Sequence, residues 1–385
     1  GVFLAVLLTA FQDRNWADMI DLAARMGGGH VTLQHPETLD APTLAKTVVG
    51  TEALEARARE TPHVTRVVTR IVGQTLLSTA NKSQGAAFVA IDPTQEDVTT
   101  LAVSEAFEEG ALFETAQDGG IVLGERLARN LGVTLGKKVV YTMTDKDGEI
   151  IAGLARVSGI VRTGAPTVDG GLCLLPIDAL RSALGYSADE ATQVAVFIGD
   201  QRLTDRVAEH LSSAVDEGVV ALPWHEVQPS LAGFIAMKVG GANFMKILIA
   251  VLIAAGIFNT LFVSVTERMR EFGIMLAIGH SPRDIHGLVM MESLWLGLVG
   301  LVAGAVVTAG PYLYLASAGL DFSAMIGEGG TEISGVAMSS VLKVGIFPEN
   351  AVLIGAAALL ATLLAGIYPA WKAGSVAPVE TIRLV

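Results

Sequence analysis

The sequence predicts an α-helical membrane protein with four transmembrane helices, the first of them truncated at residue 1, and a large extracytoplasmic α/β domain. Residues 247–266 and 293–320 are uncharged stretches of 20 and 28 residues. Roughly 20 apolar residues in a helix are enough to cross the hydrocarbon core of a bilayer. Charged residues make up only 17% of the chain, whereas soluble proteins usually carry about 25%. Both observations predict a protein inserted in a membrane.

The charged residues are concentrated in one segment, which we interpret as the domain outside the membrane. Residues 12–245 contain 30 acidic and 19 basic residues, a net charge of −11. An acidic domain argues against nucleic acid as a partner, because the phosphate backbone is also negative. The chain has a single cysteine, Cys173, so an internal disulfide is impossible, and its apolar surroundings in the sequence predict a buried side chain.

The first eleven residues form an apolar run with two interpretations. They are too few to span a bilayer, so they are either the end of a transmembrane helix whose beginning lies outside this numbering or the apolar region of a signal peptide. The run lacks a basic region and a small-residue cleavage pattern, which favours the helix. Residues 18–26 then predict a helix that leads away from the membrane and ends at the three glycines 27–29.

The next segment alternates between strand-like and helical patterns, as expected for an α/β domain, which we divide into two subdomains. Strands are predicted at 30–33, 87–91, 139–143, 150–160, 172–175, 194–198 and 219–222. Helices are predicted at 41–58, 96–107, 124–130, 177–184 and 204–215. Residues 194–222 predict a compact βαβ-like unit, and residues 145–148 predict a tight hairpin turn.

No group of side chains predicts catalysis. The seven histidines are scattered without the spacing of a zinc site. The sequence contains neither the Gly-x-Ser-x-Gly motif of serine hydrolases nor a P-loop that would bind ATP. We therefore expect no enzyme activity, no metal site and no cofactor in this chain.

The stretch between the two uncharged segments predicts a short helix that lies in the plane of the membrane. Its charged residues occur in one block, namely Glu267, Arg268, Arg270 and Glu271. An apolar run follows and is ended by Gly279. Ser281, Pro282 and Asp284 predict the start of the next helix, with serine as the N-cap, proline in the first turn and aspartate closing a capping box. A partner protein could push on a short helix of this kind.

The distribution of lysine and arginine predicts the orientation in the membrane. Segments 267–292 and 372–385 contain five basic residues, whereas 321–350 contains only Lys343 beside four acidic residues, so the first two segments belong in the cytoplasm. The predicted order is the end of transmembrane helix 1 at 1–11, a periplasmic domain at 12–240, helix 2 at 241–266, a coupling helix and loop at 267–285, helix 3 at 286–320, a short periplasmic loop at 321–350, helix 4 at 351–371 and a cytoplasmic tail at 372–385.

The same region carries a distinctive series of residues. The series comprises Thr266 to Gly273 (TERMREFG), Ala277 to Gly279, Ser281 to Ile285, Glu292, Tyr368 to Ala373 and Pro378 to Arg383. It resembles the FtsX-like or macrolide-exporter-type permeases of ABC transporters, which are also called type VII or mechanotransmission systems. The resemblance covers about the last 140 residues.

The outer domain has its own matching residues. They are Gly29 to Val31, Ile121 to Gly124, Leu127, Ala128, Leu131, Gly132, Val157 to Ile160, Thr163, Gly164, Asp169, Pro223 and Trp224. Within the family they most resemble the lipoprotein-releasing (Lol-type) permeases. One departure is the short turn at 145–148, where such permeases can carry a longer hairpin that recruits a periplasmic chaperone. Because the turn is short, whether this chain recruits a periplasmic chaperone stays an open question.

The resemblance implies a permease subunit in the bacterial inner membrane that extracts lipoproteins from the outer leaflet. It implies a separate ABC ATPase, in two copies, that binds ATP and magnesium, together with a second permease copy or paralogue and lipoprotein or lipid cargo. The residues implied in ATPase coupling are Glu267, Arg268, Arg270, Glu271, Gly273, Ala277 and Gly279. Candidate cargo-lining residues are Phe3, Leu4, Met245 and Phe258.

Two questions stay open on the sequence. Arg268 and Arg270 are either contacts to the ATPase or ordinary positive residues at the cytoplasmic surface. The function is either lipoprotein extraction, export of a small molecule or peptide through an outer-membrane tunnel, or regulation of an extracytoplasmic cell-wall hydrolase. The lack of charge in residues 247–266 and 293–320 argues against a polar path through the membrane.

Overall fold

The computed structural model describes residues 1–322, 332–333, 336–337 and 341–375. The chain divides into two compact units. We call Ala17–Phe234 with Phe322–Ser340 the α/β unit, and Gly1–Trp16 with Ile235–Asp321 and Val341–Val385 the helical unit. The predicted tail motif at 378–383 lies outside the described residues.

The helices and strands follow one another through both units. The helices are α1 Val2–Met26, α2 Thr51–Glu60, α3 Glu125–Leu131, α4 Pro166–Gly171, α5 Ile177–Leu184, α6 Thr204–Ser212, α7 Trp224–Val227, α8 Pro229–Glu267, α9 Met269–Ala277, α10 Pro282–Ser317 and α11 Pro348–Gly374. The strands are β1 Val31–Gln34, β2 Val48–Val49, β3 Val64–Ser78, β4 Ser83–Ile91, β5 Phe107–Gly110, β6 Gly120–Gly124, β7 Lys138–Thr144, β8 Ile150–Val161, β9 Leu172–Pro176, β10 Glu190–Ala191, β11 Gln193–Ile198, β12 Val220–Pro223, β13 Leu320–Asp321, β14 Glu332–Ile333, β15 Val336–Ala337 and β16 Val341–Leu342. Helices α1 and α8 each contribute residues to both units.

A ten-stranded sheet forms the centre of the α/β unit, in the order β12-β1-β11-β3-β4-β9-β6-β8-β5, with β7 paired to both β3 and β8. Strand β3 has 15 residues and belongs to both halves of the sheet. Its first half pairs with β11 and its second half with β4. Apolar side chains from both halves are buried, including Val67, Ile71 and Leu77. The two subdomains predicted from the sequence therefore share one long strand.

Most of the predicted elements of this unit are confirmed. All seven predicted strands are present, and their ends differ from the predicted ends by at most four residues. The same holds for the helices predicted at 124–130, 177–184 and 204–215, which correspond to α3, α5 and α6. The turn at 145–148 joins β7 to β8 and has Gly148 at φ +86°. The βαβ-like unit needs a correction, because β1 lies between β11 and β12 and pairs antiparallel with both.

Two predicted helices are wrong in whole or in part. Residues 96–107 form a loop with one short 3-10 turn and then enter β5. The side chains of Asp97 and Thr100 bond to nearby backbone groups there, which offers the chain an alternative to a helix. Residues 41–58 contain β2 and only the first part of α2, since Gly50 adopts φ +81° directly before that helix.

Two of the sequence motifs of the α/β unit meet at Gly124 and Asp169. A Cβ at Gly124 would lie 2.4 Å from the carbonyl oxygen of Asp169. The buried Asp169 carboxylate accepts hydrogen bonds from the Thr163 backbone N–H at 2.8 Å and from the Thr163 hydroxyl at 2.7 Å. These residues therefore hold α4 against the end of β6, which is a structural role.

In the helical unit, three helices are long and apolar enough to cross a membrane among the residues that the structure describes. They are α8, α10 and α11. Helix α1 is continuous but carries Asp13, Arg14 and Asp18 within its length, so the predicted count of four spanning helices is not confirmed. Helix α8 begins twelve residues earlier than the predicted range 241–266.

The first turns of α11 are tied to α1 inside the helical unit. The Asp13 carboxylate accepts hydrogen bonds from the Phe347 backbone N–H at 3.1 Å and the Asn350 side-chain amide at 2.8 Å. The Ala10 carbonyl accepts from the Gly345 N–H at 2.9 Å. A negative side chain at the start of a helix also suits the helix dipole. Asp13, the charge that interrupts the apolar part of α1, thus has a specific partner in this unit.

Replacing Gly124 tests the contact between β6 and α4. We expect Gly124→Ala to lower the free energy of unfolding by about 1–3 kcal/mol, because the added methyl group overlaps a backbone atom that cannot move freely. Gly119→Ala is the matched control, since a Cβ there meets nothing within 4 Å. Thermal unfolding of the purified chain in detergent measures both, and equal melting temperatures would contradict the role of Gly124.

Candidate coupling site

The candidate site is the segment from the end of α8 to the start of α10, within the helical unit. Helix α8 ends at Glu267, and Arg268 takes φ −102° and ψ 12°, which breaks the helix for one residue. Helix α9 then runs for nine residues, Met269–Ala277. The predicted short helix between two spanning helices is therefore present, although its orientation to a membrane is not part of the structure.

Arg268 is engaged by other residues of the same chain. Its guanidinium donates to both carboxylate oxygens of Glu292 at 3.0 and 2.9 Å and to Glu271 at 3.1 Å. It also lies over the ring of Phe272, 5.4 Å from the ring centroid. The hydrogen bond that Arg268 donates to Glu271 and the negative charge of Glu292 raise the pKa of Arg268 further above its ordinary value. Arg268 thus joins α9 to the start of α10 as a permanent cation.

One face of α9 is buried against the neighbouring helices. Phe272 is fully buried and belongs to an apolar cluster with Val265, Ile285, Val289 and Ala370. These residues come from α8, α10 and α11. The buried face of α9, with Met269, Met275 and Leu276 packed around Phe272, therefore forms one apolar cluster with residues of α8, α10 and α11.

The opposite face of α9 is exposed and amphipathic. Its exposed residues include Arg270, Glu271 and Ile274 within the helix and Ile278 directly after it, and the exposed Glu267 precedes the break at Arg268. Ile274 is 46% exposed and Ile278 is 73% exposed. Isoleucines bordered by charges of both signs form a surface of the kind that binds another protein.

The end of α9 is closed by a glycine. Gly279 has φ +109°, its N–H donates to the Leu276 carbonyl, and the His280 N–H donates to the Met275 carbonyl at 3.1 Å. This is a Schellman motif, in which the left-handed residue is almost always glycine. The position of Gly279 in the family pattern is therefore explained by the turn that it forms.

The predicted capping box at the start of α10 is confirmed. The Ser281 hydroxyl accepts from the Asp284 N–H at 3.3 Å, and the Asp284 carboxylate accepts from the Ser281 N–H at 2.8 Å. The hydrogen bonds from Ser281, first from its backbone and then from its hydroxyl, hold the pKa of Asp284 below its ordinary value. The box fixes where α10 begins, directly after the coupling segment.

The structure divides the predicted coupling residues into two groups. Glu267, Arg270, Glu271, Ala277 and Gly279 are exposed, whereas Gly273 is buried and Arg268 is bonded to Glu292 and Glu271. The sequence interpretation missed the roles of Phe272, Ile274 and Ile278. The signal for the two isoleucines was present in the sequence, because residues 270, 271, 274 and 278 recur at helical spacing.

The candidate cargo-lining residues lie on two helices. Phe3 and Leu4 are exposed on α1, and Met245 and Phe258 are exposed on α8. Phe258 stacks with Phe262 at 5.9 Å between ring centroids and contacts Tyr368 of α11 at the same distance. The cargo-lining role of these four residues stays a prediction.

Two further predictions concern the chemistry of single groups. Within the described part of the chain, no three histidine, cysteine, aspartate or glutamate residues are placed to hold a metal ion. Cys173 is buried, as predicted, and its burial raises the pKa of the thiol, so it is not a reactive nucleophile.

Two family models match the chain. The FtsX-like permease C-terminal model matches residues 243–378, and the MacB-like periplasmic core domain model matches residues 1–214, which is more than half of the chain.

Individual proteins are similar along most of the length. The chain is 24% identical over 343 residues to the lipoprotein-releasing system transmembrane protein LolC of Xylella fastidiosa, covering 85% of this chain and 80% of that protein. It is 22% identical over 362 residues to the lipoprotein-releasing system transmembrane protein LolE of Haemophilus influenzae, covering 90% and 84%. The crystal structure of the periplasmic region of MacB from Actinobacillus actinomycetemcomitans covers 54% of this chain and 94% of its own, with 14% identity and a TM-score of 0.37.

A pair of glycine variants tests the helix end at Gly279. We expect Gly279→Ala to lower the free energy of unfolding by about 1 kcal/mol or more, because alanine is strained at this positive φ. Gly287→Ala, in the interior of α10 with nothing within 4 Å of the added Cβ, should instead stabilise by up to about 1 kcal/mol through helix propensity. Opposite shifts in the melting temperature support the assignment, and shifts of the same sign would contradict it.

The capping box should respond to pH. The pKa of Asp284 is lowered in the folded chain, so its stabilising effect is fully present above its ordinary pKa of about 3.9 and is lost as the pH falls through the lower folded value. We expect slower amide hydrogen exchange at 281–285 in the natural chain than in Asp284→Asn at neutral pH. The difference should disappear as the pH falls through the lowered folded pKa of Asp284, and a difference that persists once the carboxylate is protonated would show that the charge is not responsible.

Proposed function

We propose that this chain, which belongs to the family of ABC transporter permeases with a MacB-like periplasmic core domain and an FtsX-like C-terminal region, extracts lipoproteins from the outer leaflet of the bacterial inner membrane. The family matches confirm the resemblance seen in the sequence. The observation that carries the proposal is the similarity to LolC over 85% of this chain and 80% of that protein, because it includes both the α/β domain and the helices.

The ATPase would be a separate subunit that binds the exposed face of α9. Membership in a family of ABC permeases implies such a partner. The face offers Ile274 and Ile278 for an apolar pocket and the charges of Glu267, Arg270 and Glu271 at its border. We propose two ATPase copies, a second permease subunit, and ATP with magnesium held entirely by the ATPase.

Mechanical work would reach the helices through the buried face of α9. Phe272 contacts residues of α8, α10 and α11, and Arg268 links α9 to Glu292. A push on α9 would therefore displace these helices instead of bending a loose loop. Since α1 and α8 each contribute residues to both units, a change in these two helices would be passed on to the α/β unit by the chain itself.

The chemistry of the helices supports lipidated cargo. Residues 247–266 and 293–320 carry no charge, and a charged or polar solute would need polar groups along its path. An acyl chain needs none. We therefore propose that cargo leaves the membrane laterally and is moved by the α/β unit, with Phe3, Leu4, Met245 and Phe258 as candidate lining residues.

A second candidate function has support from one family model and from the length of one turn. The MacB-like core domain model matches residues 1–214, and the β7–β8 turn at 145–148 is short. Both are compatible with a macrolide-exporter-type permease that passes a small molecule or peptide to an outer-membrane tunnel.

A reconstituted complex separates the two functions. The purified permease and its co-purified ATPase are placed in proteoliposomes that contain a fluorescent triacylated lipoprotein, and release into the medium is measured with and without ATP. ATP-dependent release supports lipoprotein extraction. ATP hydrolysis that is stimulated by a macrolide or peptide, with no lipoprotein release, would favour the exporter.

Charged substitutions on α9 test the ATPase surface. We expect Ile278→Glu to lower the amount of co-purified ATPase at least tenfold, because burying one carboxylate without a partner costs more than about 1.4 kcal/mol. Ile150→Glu is the matched control, since Ile150 is 77% exposed in the α/β unit and the chemical change is the same. Equal ATPase recovery from both variants would contradict the proposed docking face.

A further inference from the structure

Arg70 is a fully buried cation in the middle of β3. Its exposed fraction is 0%, and that of the Glu96 side chain is 2%. The two form a bidentate pair, with Nε of Arg70 donating to one Glu96 oxygen at 2.8 Å and Nη2 donating to the other at 2.9 Å. Bidentate geometry is the strongest form of this interaction.

The remaining donors of Arg70 hold two other segments of the α/β unit. Nη1 donates to the Gly27 carbonyl at 2.5 Å, and Nη2 donates to the Thr100 carbonyl at 2.7 Å. The guanidinium also lies over the Phe197 ring, 5.7 Å from its centroid. Arg70 thereby connects β3, the loop at 96–100 and the residue that follows the last turn of α1.

The last turns of α1 are held by further contacts with the same unit. Ala24 is fully buried in a cluster with Val68 and Phe197. The Gly27 carbonyl also accepts from the Gln193 side chain at 3.2 Å, and Gln193 is the cross-strand neighbour of Arg70. The end of α1 is therefore attached to the centre of the sheet.

A buried ion pair is a poor choice if stability alone is required. Removing two charges from water is expensive, and an apolar pair of similar volume often stabilises a fold equally well or better. Such a pair instead enforces one geometry, because any displacement breaks several charged hydrogen bonds at once. The position of Arg70 suggests that the geometry being enforced is that of α1 against the sheet.

Arg66 provides a natural comparison. It lies four residues earlier on β3 and therefore on the same face of the strand. It pairs with Asp97 at 3.2 Å and donates to the Gln95 carbonyl at 2.8 Å. The side chains of Arg66 and Asp97 are both about half exposed, and neither of these contacts involves α1. Arg66 is thus also an arginine that holds the same loop as Arg70 does, but it lacks the contact with Gly27.

We propose that Arg70 is the positioning residue that transmits displacement of α1 to the α/β unit. This inference rests on the proposed function, in which work done at α9 reaches the α/β unit through helices. The Arg70–Glu96 pair holds the end of α1 on the sheet, so that the sheet moves together with the helix when the helix is displaced. Without the pair, the end of α1 would keep only weaker contacts with the sheet, such as that of Ala24 with Val68 and Phe197, and ATP hydrolysis would continue with most of the corresponding change in the α/β unit lost.

The test uses the full chain with its ATPase in nanodiscs and compares Arg70→Met, the double variant Arg70→Met/Glu96→Met, and the control Arg66→Met. Hydrogen exchange measured by mass spectrometry, with and without ATP and vanadate, reports on residues 2–16 and separately on β3 and β11. Arg70→Met should lower the melting temperature by about 10 °C, because it leaves Glu96 buried and unpaired. The double variant should recover most of this loss.

The double variant decides between a structural role and a transmitting role. We expect it to keep the nucleotide-dependent exchange change at residues 2–16 and to lose at least four fifths of the change at β3 and β11, while Arg66→Met keeps both. If the double variant is stable and keeps both changes, Arg70 is only structural and the inference is overturned, although the proposed function stands. If the natural chain shows no nucleotide-dependent change at all, the proposed function fails and the inference fails with it.

Discussion

The burial of Phe272 is the contact on which the coupling segment depends. An isolated helix of nine residues is too short to be stable in water, so α9 exists because tertiary contacts hold it. Phe272 supplies those contacts in a cluster with residues of α8, α10 and α11, and the Arg268–Glu292 pair fixes the direction in which α9 leaves α8. The exposed face of α9 is consequently presented on a rigid base. A partner that binds there meets a preformed surface and loses little free energy in ordering it.

The two units differ in where they place charged side chains and in how these side chains are hydrogen-bonded. In the helical unit, residues 247–266 and 293–320 carry no charge, and Asp13 and Asp284 accept hydrogen bonds from backbone N–H groups at the starts of α11 and α10. The α/β unit instead buries a charged pair, Arg70 with Glu96, and satisfies it with carbonyl groups from two segments. The first arrangement suits contact with lipid, and the second holds distant segments in one geometry.

Several family residues have structural explanations that do not involve a partner. Gly279 closes α9 at a positive φ, Gly124 allows the backbone of Asp169 to approach, and Arg268 bonds within its own chain. The residues left for recognition are the exposed ones of α9, and they include two isoleucines that the family pattern did not single out. The family motif therefore contains two kinds of residue: those that set the backbone geometry of the segment, and those whose side chains make up its exposed surface. Only the contacts in the structure distinguish the two kinds.

The sequence by itself determined the features that depend on local physics. Uncharged stretches identified the spans α8 and α10, the alternating pattern predicted seven strands, and the Ser281–Asp284 capping box was correct because both partners lie within one helical turn. Strand β3 and the loop at 96–107 were decided by tertiary structure. The strand is stabilised by partners more than 100 residues away in β11, and the loop by the hydrogen bonds that Arg70 donates to the Glu96 carboxylate and the Thr100 carbonyl. Which side of α9 is buried was likewise fixed by Glu292, Ile285 and Ala370, because a pattern along one chain cannot show which distant residues will meet it.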